Sequence, residues 1–206
     1  MLSISKDTLA GLPTVSYNGR CIVVDTPSAT RDAVKYLMKM DKIGFDTETK
    51  PSFHKGHVHK VALLQLATDD ECYLFRLNKT GITQPLKRLL ENEKILKIGL
   101  STKDDFHAMR RLLPELEPRN FLELQSWVKD FDISDNSLAR IYAIIFGERI
   151  SKAQRLTNWE ADELTMFQQH YAAIDAWACL KIYNHLNDGH FNPATSPYQV
   201  STDNQS

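Results

Sequence analysis

The fold is decided by "VALLQLATDDECYLFRL", residues 61–77, in which two apolar runs are joined by a short acidic stretch. Each run, "VALLQLAT" (61–68) and "CYLFRL" (72–77), has the length and apolar character of a buried strand. Asp69 and Asp70 between them favour a turn. The pattern predicts a β-hairpin, so the sheet that contains it includes antiparallel strands.

Strands and helices alternate on both sides of this hairpin. Apolar patterning predicts strands at 21–24, 42–48 and 94–100, an extended-then-helical segment at 120–131, and helices at 28–40, 83–92, 103–113, 136–147 and 160–186, the last of which could be two helices. Ser28 or Thr30 is a plausible cap for the first of these helices. The order predicts an α/β domain with a mixed central β-sheet and flanking α-helices. We expect one domain over residues 1–186 and a flexible C-terminal tail over 187–206, which is polar and contains proline and glycine.

Composition excludes several classes of protein. The formal net charge of the 206 residues is −1, so a polyanionic partner would have to be held by a local basic patch or a bound cation. The three cysteines, Cys21, Cys72 and Cys179, are far apart and form no C-x-x-C pair, which argues against a disulfide framework and fits a reducing cytoplasm. The N-terminus has no signal-peptide pattern, and no apolar run reaches the length of a membrane span.

Two acids follow directly on the apolar residues of "IGFDTETKPSF" (43–53). In a strand, Asp46 and Glu48 point to one face and Thr47 to the other. Two carboxylates this close repel each other unless a cation neutralises them, and a divalent cation that prefers oxygen ligands is the simplest partner. A D-x-E pair is common by chance, and the alternative is two solvated acids beyond the end of the strand.

Two later segments supply further acids. Asp105, in "GLSTKDDFHAMRRL" (99–112), lies at the edge of the buried face of a helix, whereas Asp104 is expected to be exposed. In "HYAAIDAWACL" (170–180), Tyr171 and Asp175 are four residues apart and share one helical face. The alanines around them would let this helix approach another backbone closely, which would bury Asp175. The residues alone leave an alternative open for each acid. Asp105 could be an ordinary acid in the first turn of a helix, and Asp175 could lie on the surface.

Together, "FDTE", Asp105 in a strand-to-helix segment and "YAAIDA" resemble the three motifs of the DEDD 3′-5′ exonuclease family. The resemblance is to the tyrosine branch, which includes ribonuclease D and the Werner-type exonucleases, and it extends from about Cys21 to Leu186. It implies a ribonuclease H-like fold and removal of nucleotides from single-stranded 3′ ends of DNA or RNA. It also implies two divalent cations held by Asp46, Glu48, Asp105 and Asp175, and carboxylate oxygens favour Mg²⁺ or Mn²⁺.

The third motif contains two candidates for a catalytic side chain. A sister branch of the family uses a histidine five residues before its last aspartate, and His170 stands at that spacing. An ideal helix places Tyr171 about 40° from Asp175 but His170 about 140° from it. We therefore predict that Tyr171 orients the attacking water.

Basic and aromatic residues indicate where nucleic acid would lie. "GERISKAQRLTNW" (147–159) contains Lys152 and Arg155 close to Trp159, a combination that suits a phosphate track with a stacking surface. The resemblance points to Lys152 as a substrate contact. Trp159 has an equally plausible position inside the core. Phe53, close to Glu48 in sequence, is a candidate wedge against the terminal base.

Some features depart from the family or favour a rival. Glu123-Leu124 stands where the Werner-type subgroup has Asp-Leu, and we expect Glu123 to form an ion pair. His54, His57 and His59 could form a zinc site, although their spacing is irregular. A second rival is a catalytically silent module that only binds nucleic acid. These residues include no helicase segment, so we expect any helicase partner to be a separate chain.

Overall fold

The computed structural model describes residues 1–52 and 58–200 of the chain. Six strands form one mixed sheet in the order β1-β4-β3-β2-β5-β6. Strand β3 is antiparallel to both β2 and β4, while β1 is parallel to β4, and β5 is parallel to β2 and β6. The predicted hairpin is the β3–β4 pair, and the predicted mixed sheet is confirmed. The strands are β1 (Arg20–Val24), β2 (Lys42–Thr49), β3 (Val61–Ala67), β4 (Glu71–Arg76), β5 (Leu96–Gly99) and β6 (Phe121–Glu123).

Helices surround this sheet, and most of them follow the apolar periodicity of the sequence. They are α1 (Lys6–Gly11), α2 (Pro27–Leu37), α3 (Leu77–Thr80), α4 (Gln84–Leu90), α5 (Thr102–Arg110), α6 (Leu124–Trp127), α7 (Leu138–Phe146) and α8 (Met166–Asn187), with 3-10 turns at Val128–Phe131 and Pro193–Thr195. In the described ranges, no helix has the length and apolar character needed to cross a membrane.

Two helix starts differ from the prediction. Helix α8 is a single helix that begins at Met166 and not near residue 160, because Thr165 and Gln168 form a capping box that fixes its first turn. Helix α2 is capped by Thr26, whose hydroxyl accepts the backbone N–H of Ala29, and not by Ser28 or Thr30. In both helices a side-chain cap decides the first residue, and apolar periodicity does not detect it.

A hydrophobic core lies on each face of the sheet. Helices α7 and α8 cover one face, and α2 and α4 cover the other. Helix α8 approaches β2 so closely that a Cβ on Gly44 would lie 1.9 Å from the carbonyl oxygen of Ala176. Glycine at this position and alanine on the helix allow this contact. As a result, Asp175 of α8 is buried against the sheet.

The C-terminal half of β2 has a free edge. On the β5 side, pairing covers only Lys42 to Gly44, whereas on the β3 side it continues to Thr49. The chain leaves β5 at Gly99 and turns into α5 beside this edge. Asp46 and Glu48 therefore lie where β2 has a neighbour on one side only.

The residues after α8 contact the N-terminus. The backbone N–H of Ser3 donates to the carbonyl of Tyr198 at 3.0 Å, and that of Val200 donates to the carbonyl of Met1 at 3.0 Å. Of the tail predicted to be flexible, the part up to Val200 thus has backbone partners. Residues 201–206 lie outside the described residues.

Candidate active site

Three of the predicted acids come together at the free edge of β2. Asp46 and Glu48 share one face of the strand, and Asp175 reaches them from α8. One carboxylate oxygen from each lies within 4.8 Å of the others. Asp175 is 9 % exposed. Among the described residues, none of the ion pairs involves these three side chains.

Asp105 approaches the same place from the first turn of α5. Its Oδ1 accepts a hydrogen bond from the hydroxyl of Thr47, the residue that points away from Asp46 and Glu48. Asp105 is not one of the three acids whose oxygens lie within 4.8 Å of one another. Its charge is nevertheless close enough to raise the pKa of both Asp46 and Glu48. Asp104 is exposed, as its position on the helix predicts.

The pKa values of all four acids are raised, chiefly because burial removes water from their charged forms. Burial and the charge of Asp175 raise the pKa of Asp46 well above its usual value. The same two causes raise the pKa of Glu48 to about 9. Burial raises the pKa of Asp105 to about 7 and that of Asp175 to about 7, although hydrogen bonds from Thr47 and Tyr171 oppose these shifts. In the free protein these acids therefore retain protons to a higher pH than usual, and a bound cation could take the place of those protons.

The donor set fits a divalent metal ion. All the ligand atoms on offer are carboxylate oxygens, which are the donors that hard divalent cations prefer. The clustered carboxylates have no ion-pair partner among the described residues, and a bound cation would be such a partner. The chemistry of the acidic cluster thus suits a divalent metal ion.

Tyr171 lies with the acids, and His170 faces solvent. The hydroxyl of Tyr171 hydrogen bonds to Asp175, and burial together with the acids raises its pKa far above the usual value. Tyr171 therefore stays protonated at neutral pH and is suited to hydrogen bonding rather than proton removal. His170 is exposed. The placement agrees with the helical spacing, and the role of Tyr171 stays a prediction.

Lys152 and Arg155 line the opening of the site. Both are exposed, and both border a cavity of about 310 Å³ that includes Asp46, Tyr171 and Asp175. The positive charge of Lys152 lowers the pKa of Asp175, and that of Arg155 lowers the pKa of Glu48. Two positively charged side chains therefore lie close enough to the acids to influence their pKa values.

The two predicted aromatic contacts have different outcomes. Trp159 is fully buried, and its ring centroid lies 6.0 Å from that of Tyr171. It packs in the core and offers no surface to a base, so the stacking role expected for it is wrong. Phe53 lies outside the described residues.

Glu123 and the histidines also differ from expectation. Glu123 accepts backbone hydrogen bonds from Ser101 and Thr102 and does not form the predicted ion pair with any described residue. His59 pairs with Glu160, with 3.3 Å between Nδ1 and Oε1, while 54 and 57 lie outside the described residues. Within the described ranges, the acidic cluster is the one group of metal-ligating side chains.

Sequence reasoning misses the contact of Thr47 and predicts the wrong contact for Glu123. The strand period predicts only that Thr47 points away from Asp46 and Glu48, yet its hydroxyl holds a third acid, Asp105. The signal for Glu123 is an acid at the end of a strand next to a helix start that lacks a side-chain cap of its own. That signal becomes visible only once the neighbouring strand is known.

A mixed sheet with clustered acids at the edge of β2 fits the architecture of a metal-dependent nuclease. Comparison with known proteins makes the class more specific. The model of the 3′-5′ exonuclease family matches residues 21–189. The chain belongs to the 3′-5′ exonuclease family, whose members are phosphodiester hydrolases.

Individual relatives agree with this membership. The chain is 31 % identical over 176 residues to the bifunctional 3′-5′ exonuclease/ATP-dependent helicase WRN of Mus musculus, covering 80 % of this chain and 12 % of that protein. It is 28 % identical over 203 residues to a 3′-5′ exonuclease of Arabidopsis thaliana, covering 90 % and 69 %. The chain thus spans a small part of the mouse protein and about two thirds of the plant one.

Solved structures confirm the ribonuclease H-like fold. The Nibbler EXO domain of Aedes aegypti superposes with a TM-score of 0.72 at 23 % identity, over 89 % of this chain and 95 % of that one. Escherichia coli RNase D gives a TM-score of 0.71 at 23 % identity, over 81 % of this chain and 44 % of that one. Trypanosoma brucei RNase D in complex with RNA U12 gives 0.71 at 21 % identity, over 82 % and 63 %.

Proposed function

We propose that this chain hydrolyses nucleic acid one nucleotide at a time from single-stranded 3′ ends, with two divalent cations, Mg²⁺ or Mn²⁺. Asp46, Glu48, Asp105 and Asp175 would hold the cations. The observation that carries the proposal is the convergence of three carboxylates, one buried (Asp175) and two partly buried (Asp46 and Glu48). Their oxygens lie within 4.8 Å of one another, and they have no ion-pair partner among the described residues. Such a group is unfavourable in the free protein and becomes favourable when cations bind.

The acids, Tyr171 and the nearby basic residues would have different roles in the reaction. Bound divalent cations would neutralise the phosphate, activate the attacking water and stabilise the leaving oxygen. Tyr171, whose hydroxyl is held by Asp175, would hydrogen bond to the attacking water and orient it. Lys152 and Arg155, which border the same cavity, would bind the phosphates of the substrate strand. The net charge of −1 is compatible with a polyanionic substrate because these cations are local.

The substrate would be DNA or RNA, since the acids act on a phosphate that both share. The structure of trypanosome RNase D in complex with RNA U12 supports a nucleic-acid substrate for this chain. The mouse relative is named as both exonuclease and helicase, which supports an expectation that the exonuclease acts together with a helicase. Cys21, Cys72 and Cys179 are free thiols, which fits a cytoplasmic location.

The test is a time course with end-labelled oligonucleotides. Single-stranded DNA and RNA labelled at the 5′ end are incubated with the protein in Mg²⁺, Mn²⁺ or EDTA, with the Asp175→Asn variant as a matched control. We expect ladders that shorten from the 3′ end in either metal, and intact substrate in EDTA or with the variant. Binding without hydrolysis in both metals would overturn the proposal in favour of a catalytically silent binding module.

A further inference from the structure

Glu123, the last residue of β6, reaches across to the first turn of α5. Its Oε2 accepts the backbone N–H of Thr102 at 2.8 Å and the hydroxyl of the same residue at 2.9 Å. Its Oε1 accepts the backbone N–H of Ser101 at 3.0 Å and that of Gln125 at 3.1 Å. Both carboxylate oxygens are thus fully used by hydrogen bonds, and two of the donors are backbone groups at the start of α5.

The helix start that Glu123 holds cannot cap itself. Ser101 is the N-cap of α5, yet its own side chain makes no capping hydrogen bond, and its backbone is left-handed with φ 62°. A non-glycine residue in this region is strained, and it persists only where its surroundings hold it. Glu123 supplies the acceptor that the cap lacks, and its negative charge suits the positive end of the helix.

A second side chain holds the same residue. The amide nitrogen of Gln125 donates to the hydroxyl of Ser101 at 2.9 Å and to the carbonyl of Asn136 at 2.9 Å. Ser101, Gln125 and Asn136 all border the active-site cavity. The start of α5 is therefore held both by a carboxylate, that of Glu123, and by an amide, that of Gln125; together these two form a clamp.

This clamp lies one helical turn from Asp105. Ser101 and Asp105 are four residues apart, so the first turn of α5 links them directly. The Asp105 carboxylate in turn accepts a hydrogen bond from the hydroxyl of Thr47 on β2. A shift of the helix start would move this carboxylate relative to Asp46 and Glu48, which belong to a different element.

We propose that Glu123 is a positioning residue that sets Asp105 within reach of the cations by holding the backbone of Ser101 and Thr102. The assignment rests on the proposed metal-dependent function. Side chains that orient metal ligands through hydrogen bonds change metal affinity by about 10- to 100-fold when they are altered. Metal affinity is thus the property that distinguishes positioning from general structural support.

The test compares Mn²⁺ binding in four proteins by calorimetry, in the absence of substrate. They are the wild type, Glu123→Gln, Thr102→Val and the exposed control Glu115→Gln. An amide at position 123 turns a donor toward backbone N–H groups, so we expect Glu123→Gln to weaken Mn²⁺ binding by about 10-fold or more. Thr102→Val loses one of the four hydrogen bonds and should weaken binding by about threefold. Glu115→Gln should match the wild type.

Melting temperatures and the Mn²⁺ dependence of hydrolysis complete the experiment. For a positioning role, the Mn²⁺ concentration at half-maximal activity rises in Glu123→Gln, and activity at saturating Mn²⁺ recovers to near the wild-type value. A lower melting temperature with unchanged Mn²⁺ affinity would overturn the assignment. If Glu123→Gln does not fold, wild-type affinity in Thr102→Val would overturn it as well. A wild-type protein that binds no Mn²⁺ would refute the proposed metal site, and the assignment with it.

Discussion

Two aspartates are equally buried in this protein and have opposite surroundings. Asp135 and Asp175 are each 9 % exposed. Asp135 accepts hydrogen bonds from the hydroxyl of Ser3 at 3.0 Å and the backbone of Ile4 at 2.9 Å, and it pairs with Arg140 at 2.9 Å. Its charge is therefore fully compensated, and it joins the N-terminal segment to the start of α7.

Asp175 has no such set of partners. It accepts a hydrogen bond from Tyr171, and the charge of Lys152 lowers its pKa. Its carboxylate lies next to those of Asp46 and Glu48. Burial is the same for the two aspartates, so burial alone does not distinguish the proposed metal ligand. What distinguishes Asp175 is a buried negative charge next to others of the same sign, an arrangement that costs stability unless a cation binds.

Replacing each aspartate with asparagine should separate these two situations most strongly. Asp175→Asn should lower hydrolysis by roughly 10²- to 10³-fold, the loss typical when a group that stabilises transition-state charge is removed. In EDTA the same variant should be more resistant to urea than the wild type, because one buried negative charge is gone. Asp135→Asn should keep its hydrolysis and lose about 1.5–3 kcal/mol of stability, because hydrogen bonds to a charged group are lost. Equal destabilisation of the two variants in EDTA would break the comparison.

The third motif allows a similar contrast between neighbouring residues. Tyr171 contacts Asp175, whereas His170 is exposed. Loss of the tyrosine hydroxyl in Tyr171→Phe should misplace the attacking water and lower turnover by about 10²-fold. His170→Ala should retain wild-type turnover. Steady-state hydrolysis at saturating Mg²⁺ measures both, and the reverse ranking would assign the enzyme to the histidine branch.

The pH dependence of stability should report the same uncompensated charge. The pKa of Asp105 and of Asp175 is about 7 in the folded protein and that of Glu48 is about 9, against values near 4 when unfolded. The folded state thus binds protons more tightly, so in EDTA the free energy of unfolding should fall as pH rises from about 5 to 9. Mn²⁺ should oppose this fall and add about 2.7 kcal/mol per site at 100 times its dissociation constant. Urea denaturation across this pH range measures both effects.

A free energy of unfolding in EDTA that is flat or rising over this range would contradict the prediction. Asp175→Asn provides the control, since it removes one of the titrating groups and should make the slope shallower. Asp135→Asn should keep the wild-type slope at a lower overall stability. The pair of variants thus tests whether the slope comes from the acidic cluster.

The parts of the site that lie within one element could be predicted from the sequence. The two-residue period of a strand puts Asp46 and Glu48 on one face, and the helical period puts Tyr171 beside Asp175. The hairpin that makes the sheet mixed is likewise local. The catalytic and metal-binding roles of these residues stay predictions.

Contacts between elements could not be predicted in the same way. Thr47 meets Asp105, and Glu123 meets the start of α5, because strand order and register bring those segments together. Helices α1 and α3 have six and four residues, too short for periodicity to detect. Trp159 has the sequence context of a basic, aromatic surface, and only the tertiary structure places it in the core.

The smallest expected effect concerns the two basic side chains that border the cavity, Lys152 and Arg155. Both are exposed, so salt screens their charges. Lys152→Gln should weaken binding of single-stranded oligonucleotides by a few-fold and lower the slope of log affinity against log salt by about 0.7, the value for one phosphate contact on a single strand. Lys39→Gln, an exposed lysine after the end of α2, should leave both unchanged. Fluorescence anisotropy in Ca²⁺ at several salt concentrations measures both quantities. Identical slopes for the two variants would mean that Lys152, although it borders the cavity with Asp175, makes no contact with the strand, and that the acids act with their bound cations alone.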